Sequence, residues 1–197
     1  MTTPASHPAS LSALPQLRTV FLDRDGVINR KLPEGEYCSS LDRFQLLPGV
    51  LPAIARLKSA GLRVIVITNQ RGVALGKYTS ATVRDIHAHL QAQLTALGAP
   101  VDAFYFCPHD KNSCDCRKPL PGMFHQALAA FPDITPASSL MVGDSFSDID
   151  FGHRLNIPTI FIEGDPQHRK PGAEKAVAIA TAITQDLPAA VALLLGN

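Results

Sequence analysis

Val20-Phe21-Leu22-Asp23-Arg24-Asp25-Gly26-Val27 is an apolar run that stops at two aspartates, one residue apart, followed by glycine. The apolar part reads as a buried strand. Side chains alternate faces along a strand, so residues i and i+2 point the same way. Asp23 and Asp25 are therefore expected to converge on one point, with the chain bending just after Asp23. Gly26 suits a tight turn in which the backbone comes close to a ligand. Two carboxylates held together repel and raise each other's pKa unless a cation sits between them. Mg²⁺, a hard cation with oxygen ligands, meets that need. Taken alone, Asp-x-Asp-Gly is equally a turn with two solvated aspartates, and only the rest of the chain decides between the two.

Working outward, residues 18–23 form the first expected strand, and the polar stretch 30–44, with Pro33, Gly35 and Ser39-Ser40, reads as a long loop. Pro48-Gly49 opens a helix reaching Ala60, with Leu51, Ile54 and Leu57 on one face and Gly61 as its stop. Residues 62–68 (LRVIVIT) make the clearest strand, β-branched and covered on both sides. It runs into Thr68-Asn69-Gln70 and a loop holding Gly72 and Gly76. Ser80 would cap a helix whose Val83, Ile86, Leu90, Leu94 and Leu97 keep helical spacing, while His87 and His89 read as surface residues. A short strand is expected at Ala103–Cys107, a helix from Pro121 to Phe131, and a fourth strand at Ser139–Gly143 that delivers Asp144. A helix over 147–155 and a strand over 158–162 follow, then a mobile segment over 173–182 and a closing helix at Leu187–Leu195. Strands alternating with helices imply α/β architecture, a Rossmann-like parallel sheet with right-handed crossovers. Ligands bind such sheets at the carboxyl ends of strands. Asp23, Asp25, Thr68, Asn69 and Asp144 all fall at such ends.

With 197 residues, one domain with a substantial core is expected. Eighteen basic against 17 acidic residues leave no basic surface for nucleic acid. The absence of Trp argues against stacking platforms for single strands. No apolar run approaches the length of a bilayer span. Residues 1–17, rich in Ser, Pro and Ala, lack the basic start and apolar core of a secretory signal. They are expected to be a disordered leader before a single domain over 18–197. The resulting expectation is a cytoplasmic monomer that acts on a small molecule, with neither nucleic acid nor membrane as partner.

Four separated stretches carry the chemistry: Asp23-Arg24-Asp25-Gly26-Val27-Ile28-Asn29, Thr68-Asn69-Gln70, Lys118-Pro119 and Gly143-Asp144-Ser145-Phe146-Ser147-Asp148. Hydrolysis of a phosphomonoester needs a nucleophile, a metal to offset charge, donors for phosphoryl oxygens and an acid for the leaving group. Each stretch also has a bland reading. Thr68 and Asn69 would cap a turn, Lys118 would be solvated, and Asp148 would be a favourable first-turn helix charge. Jointly, in this order and at these strand ends, they resemble the haloacid dehalogenase superfamily of aspartate-nucleophile phosphatases. The resemblance covers the chain beyond the leader. It implies Asp23 as nucleophile and Asp25 as general acid/base whose backbone carbonyl contacts Mg²⁺. It further implies Asp144 as the remaining carboxylate ligand, and Thr68, Asn69 and Lys118 as donors to the phosphoryl group. Asp148, four residues past Asp144, shares its helix face and would position Lys118.

Cysteine placement adds a second constellation. Of the four cysteines, Cys38 stands apart and reads as a partly buried spectator. Cys107-Pro108-His109 and Cys114-Asp115-Cys116 run straight into Arg117-Lys118-Pro119. Three thiolates and an imidazole are a common set for structural Zn²⁺. A redox pair, Cys114 with Cys116, is the alternative. Zinc here would pin the loop that carries Arg117 and Lys118, with no open position for catalysis. The arrangement is similar to the branch of the superfamily that holds D-glycero-D-manno-heptose-1,7-bisphosphate 7-phosphatase and the histidinol-phosphatase domain. Asn29, Gln70, Gly72, Gly76, Tyr78 and Pro121-Gly122-Met123 match the branch as well. The resemblance implies a substrate-recognising role for Arg117. Two departures touch substrate-facing loops. Only residues 110–113 separate His109 from Cys114, and Ala74-Leu75 stand where the branch carries an arginine before Gly76.

The sequence thus implies a small-metabolite phosphatase of HAD fold with no large cap domain, its substrate covered by loops 30–44 and 107–117. Heptose bisphosphate is the leading substrate, and histidinol phosphate the nearest alternative. A zinc-stabilised binding module without turnover is the competitor from another class.

Overall fold

The computed structural model describes residues 16–33, 35–165 and 172–196. Six strands and six helices alternate: β1 (Thr19–Leu22), α1 (Val50–Ser59), β2 (Arg63–Asn69), α2 (Ser80–Ala96), β3 (Ala103–Cys107), α3 (Gly122–Ala130), β4 (Ser139–Gly143), α4 (Phe146–Arg154), β5 (Thr159–Ile162), α5 (Ala173–Ile179), β6 (Ala182–Thr184) and α6 (Leu187–Leu195). The strands form one parallel sheet in the order β3-β2-β1-β4-β5-β6. This is the α/β parallel sheet expected from the alternation of elements.

The two faces of the sheet are written in the strands. Val20, Leu22, Val64, Val66, Leu140 and Val142 pack into one core cluster with residues of α1, α2 and α6. Phe21, Ile65, Ile67 and Met141 point the other way, into a cluster with Met123, Phe124, Ala127 and Phe151. Strands buried on both sides read as continuous apolar runs, and this is why β2 was the most legible element. At the centre, Leu22 pairs with Val66 of β2 and with Val142 of β4. The chain leaves β1 toward β2 and β3, then returns to β4 on the other side. Crevices at such reversals of strand order are where open α/β sheets bind ligands.

Several expectations need correction. The segment over 173–182, read as mobile, is helix α5 followed by a sixth strand that pairs Ile160 with Ala182. Strand β6 has three residues and leaves Ile183 exposed, too short for an alternation to register. The cap of α2 is Thr79, whose side chain accepts from Thr82 N–H, with Ser80 already helical. His87 is buried, stacked on Phe104 at 4.7 Å between ring centroids. Leu97, placed on the apolar face, is exposed. Leu17, the last residue of the expected leader, packs against the core, while residues 1–15 lie outside the described part. Among the described residues no helix is long and apolar enough to cross a membrane.

Candidate active site

Asp23 sits just past β1, where its backbone N–H still donates to Val142 O of β4 at 2.9 Å. Its carboxylate is met by Lys118. The Lys118 ammonium donates to Asp23 Oδ1 and to Ile67 O, both at 2.8 Å, and forms an ion pair with Asp148 Oδ1 at 2.6 Å. Burial alone would lower the Lys118 pKa, but the carboxylates of Asp148 and Asp23 outweigh it and raise the value. Lys118 therefore keeps its charge in an almost sealed position. Asp148 divides its oxygens, giving Oδ1 to Lys118 and accepting the Ser145 N–H on Oδ2 at 3.1 Å at the start of α4. Gly143 makes this approach feasible, since a Cβ there would come within 2.2 Å of Asp148 Cβ.

Carboxylate oxygens of Asp23, Asp144 and Asp148 lie within 4.8 Å of one another. Crowded oxygen donors of this kind suit a hard divalent cation. Gly26, at φ 100°, brings the turn against Asp144: a Cβ there would lie 2.1 Å from Asp144 Oδ2. On its other side Asp144 is ion-paired with the ammonium of Lys31.

Asp25 does not join that cluster through its carboxylate. The alternation rule holds only inside a strand, and β1 ends at Leu22. Beyond it the chain turns back, with Ile28 N–H and Asn29 N–H donating to Arg24 O at 2.8 and 3.1 Å. Asp25 consequently faces its neighbour Arg24, whose Nη2 donates to both carboxylate oxygens at 2.9 Å. Asn29 Nδ2 and Gln70 Nε2 add hydrogen bonds at 2.9 and 2.8 Å. Burial by itself would raise the Asp25 pKa, yet the Arg24 guanidinium and these amides hold it below the usual carboxylate range. Gln70 is oriented in turn: its Nε2 also donates to Thr68 Oγ1 at 2.9 Å, and its Oε1 accepts from Tyr78 OH at 2.6 Å. Thr68 thus faces the site, at the end of β2. The side chain of Asn69 is turned to the Lys118 backbone, which it clamps with two hydrogen bonds of 3.0 Å. These bonds position the lysine. Arg117 has a buried guanidinium nitrogen, Nη1, with no hydrogen-bond partner among the described residues.

Arg24 and Lys31 were invisible in the sequence. A fully buried arginine flanked by two acids, and one lysine in a polar loop, carry no periodic or motif signal until the fold pairs them.

The thiol cluster lies at the end of β3. Cys107 Sγ is 3.5 Å from Cys114 Sγ and 3.7 Å from His109 Nδ1, which is 3.2 Å from Cys116 Sγ. A tetrahedral zinc with roughly 2.3 Å Zn–S bonds needs ligand-to-ligand edges of about 3.5–3.8 Å; the two edges from Cys107 fall in that range, His109–Cys116 is shorter, and all four ligand atoms lie within 4.8 Å of one another, a set that could hold the ion. Burial pushes the Cys107 and Cys116 thiols up from their ordinary value. All the cysteines are free, and the distances are those of a ligand set rather than a bridged pair. Gly122 N–H donates to Asp115 O at 2.9 Å, and a Cβ on Gly122 would strike that carbonyl, so α3 begins hard against the cysteine loop.

Comparison with known proteins gives this geometry its context. The family model of haloacid dehalogenase-like hydrolases matches residues 14–156. The D-glycero-alpha-D-manno-heptose-1,7-bisphosphate 7-phosphatase of Mycobacterium tuberculosis is 42% identical over 137 residues, covering 69% of this chain and 72% of that protein. The D-glycero-beta-D-manno-heptose-1,7-bisphosphate 7-phosphatase of Bordetella bronchiseptica is 35% identical over 180 residues, covering 91% and 98%. The crystal structure of D,D-heptose 1,7-bisphosphate phosphatase from B. bronchiseptica, complexed with magnesium and phosphate, aligns at a TM-score of 0.79 and 34% identity, over 91% of this chain and 98% of that one. With acids at the ends of β1 and β4, a buried lysine between them and a family model matched over most of its length, this chain belongs to the haloacid dehalogenase-like hydrolases.

Proposed function

We propose that this protein is a phosphatase that works through an aspartyl-phosphate on Asp23 and removes the 7-phosphate of D-glycero-D-manno-heptose 1,7-bisphosphate. One observation carries the reading: a buried carboxylate at the end of a central strand, held by Lys118 at 2.8 Å beside two further carboxylates. Asp23 attacks phosphorus, and the sugar oxygen leaves with a proton from Asp25. Water then attacks the same phosphorus, Asp25 takes its proton, and orthophosphate and free Asp23 are restored. The Arg24 pair keeps Asp25 as a carboxylate in the free protein, the form required to activate water. A substrate dianion beside it raises its pKa and favours the protonated form that the first half needs. Lys118 offsets charge that develops on the phosphoryl oxygens. Asp23, Asp144 and the backbone carbonyl of Asp25 would hold Mg²⁺, which supplies further charge neutralisation when bound.

The substrate is read from the relatives' names together with Arg117. An unpartnered buried guanidinium nitrogen next to Lys118 calls for an anion or hydroxyl acceptor on the bound molecule. Cys107, His109, Cys114 and Cys116 would hold Zn²⁺, which fixes the loop delivering Arg117 and Lys118 and takes no part in the chemistry.

The test is phosphate release with Mg²⁺ across both anomers of the heptose bisphosphate, histidinol phosphate, other sugar phosphates and a 3′-phosphorylated oligonucleotide. Heptose bisphosphate is expected to be strongly preferred, and Asp23→Asn to be silent. Preference for another compound reassigns the substrate. Near wild-type turnover in Asp23→Asn removes Asp23 as nucleophile, and silence of the wild type across the panel favours the binding module.

A further inference from the structure

Lys31 is attached to a firm base. Arg30 N–H donates to Gln45 O at 2.7 Å, Leu47 N–H donates to Ile28 O at 3.0 Å, and Asn29 is bridged to Leu46. The lysine thus hangs from a pinned turn, and its ammonium reaches Asp144 Oδ2. The two side chains are only 12% and 7% exposed, so the pair is largely withdrawn from water, unlike a surface ion pair of little worth. Asp23, Asp144 and Asp148 bring three negative charges, and Lys118 and Lys31 answer with two positive ones. Lys118 is tied to Asp23, Ile67 O and Asp148. Lys31 holds a metal-type carboxylate oxygen from a flexible four-carbon stem that can move without disturbing the backbone.

We infer that Lys31 is an exchangeable counter-cation: it neutralises Asp144 while the divalent ion is away, yields that carboxylate to Mg²⁺, and then pairs with the phosphate dianion of the substrate. The exchange rests on the Mg²⁺ reading given above. Charge balance drives it. With Mg²⁺ on the carboxylates and Lys31 released, three negative charges face Lys118 and a divalent cation, and the cluster is neutral. An arriving phosphate then adds two negative charges, and the displaced ammonium, still on its pinned stem beside the carboxylates, can answer one of them. Lys31 in this role taxes Mg²⁺ binding by the fraction of protein in which it occupies Asp144, and it repays the substrate.

Calorimetric titration of Mg²⁺ into wild type, Lys31→Met and Lys31→Arg tests the exchange, followed by titration of inorganic phosphate at saturating Mg²⁺. Methionine keeps the length and bulk of the stem without its charge, and Lys31→Gln serves as a second uncharged variant should Lys31→Met not fold. The uncharged variant is expected to bind Mg²⁺ about tenfold more tightly and phosphate about tenfold more weakly, with Lys31→Arg close to wild type. Unchanged or weaker Mg²⁺ affinity overturns the competition, and tighter Mg²⁺ with unchanged phosphate overturns the transfer. Asp144→Asn separates the two layers. If wild type itself binds no Mg²⁺, the exchange falls with the metal reading. If wild type binds it, Asp144→Asn loses it and Lys31→Met matches wild type, only the exchange falls.

Discussion

The carboxylate cluster at the end of β1 and the thiol cluster at the end of β3 are both crowded sets of metal ligands, and the fold makes each tolerable in a different way. Around Asp23, Asp144 and Asp148 the chain provides its own cations, Lys118 and Lys31. The thiols of Cys107, Cys114 and Cys116 are partnered by one another and by His109. Self-supplied ammonium groups let the first site persist without its ion, as suits a cofactor that exchanges. The second has converging ligand atoms, and burial pushes the Cys107 and Cys116 thiols up while the neighbouring thiols and backbone amides lower Cys114. On the proposed reading, one site would keep a resident ion and the other a visiting one.

The sharpest way to break that contrast is to remove the chain's own cation. Lys118→Met leaves Asp23 and Asp148 buried without their ammonium. Loss of one partner of a buried pair costs about 3–5 kcal/mol, read by urea unfolding with metal chelated. Turnover should disappear with it, as in Asp23→Asn, where at least a thousandfold loss is expected with the fold intact, roughly the contribution of a lost nucleophile. Equal stability of Lys118→Met and wild type in chelator would mean that the carboxylates are not held by the lysine at all.

Metal removal probes the other half. Stripping zinc with a strong chelator should lower the thermal midpoint by about 5–10 °C, the equivalent of a few kcal/mol in a domain of this size. Omitting Mg²⁺ should move it far less. Cys114→Ser should carry substoichiometric zinc by elemental analysis and show the lowered midpoint without any chelator. Wild-type protein free of zinc, purified without chelators, would remove the resident ion from the comparison.

What the sequence made legible follows the same division. The acids of the site could be read because each ends an apolar strand, and the thiols because three soft ligands gather within ten residues. Residues that matter through pairing were out of reach. Arg24 is fully buried because Asp25 answers it, and no local pattern announces a buried arginine. Asp25 was expected beside Asp23 because the strand rule was carried past Leu22, where β1 ends three residues before Asp25. Asn69 was expected to face the phosphoryl group, a direction that only its partner, the Lys118 backbone, settles. His87 is a different kind of miss. Val83, His87, Leu90 and Leu94 keep the spacing of one helical face, so the signal was present and residue type overrode it.

His87 also extends the comparison to a third solution, since it is a buried base with no ionic partner among the described residues. It packs between Phe104 and Phe106, its Nε2 has no hydrogen-bond partner among the described residues, and burial lowers its pKa to about 3, with nearby Arg24 pushing the same way. It stays neutral by giving up its proton. The unfolded chain has the ordinary value of 6.5, so between pH 6.5 and 3 the unfolded state binds the proton and the folded state does not. Stability from this group is complete above pH 6.5 and falls with acid, by up to about 1.4 kcal/mol per pH unit. Asp25, whose pKa is lowered from 3.8, loses its contribution only at and below that ordinary value, so the upper part of the window belongs to His87. His87→Phe, of similar volume in the same aromatic slot, should cost no more than about 1.5 kcal/mol at pH 7.5. Between pH 6.5 and 4.5 wild type should then lose roughly 2–3 kcal/mol more than the variant in urea unfolding. Parallel acid limbs in the two proteins would mean that folded His87 already carries its proton, and burial by neutralisation would have no example in this fold.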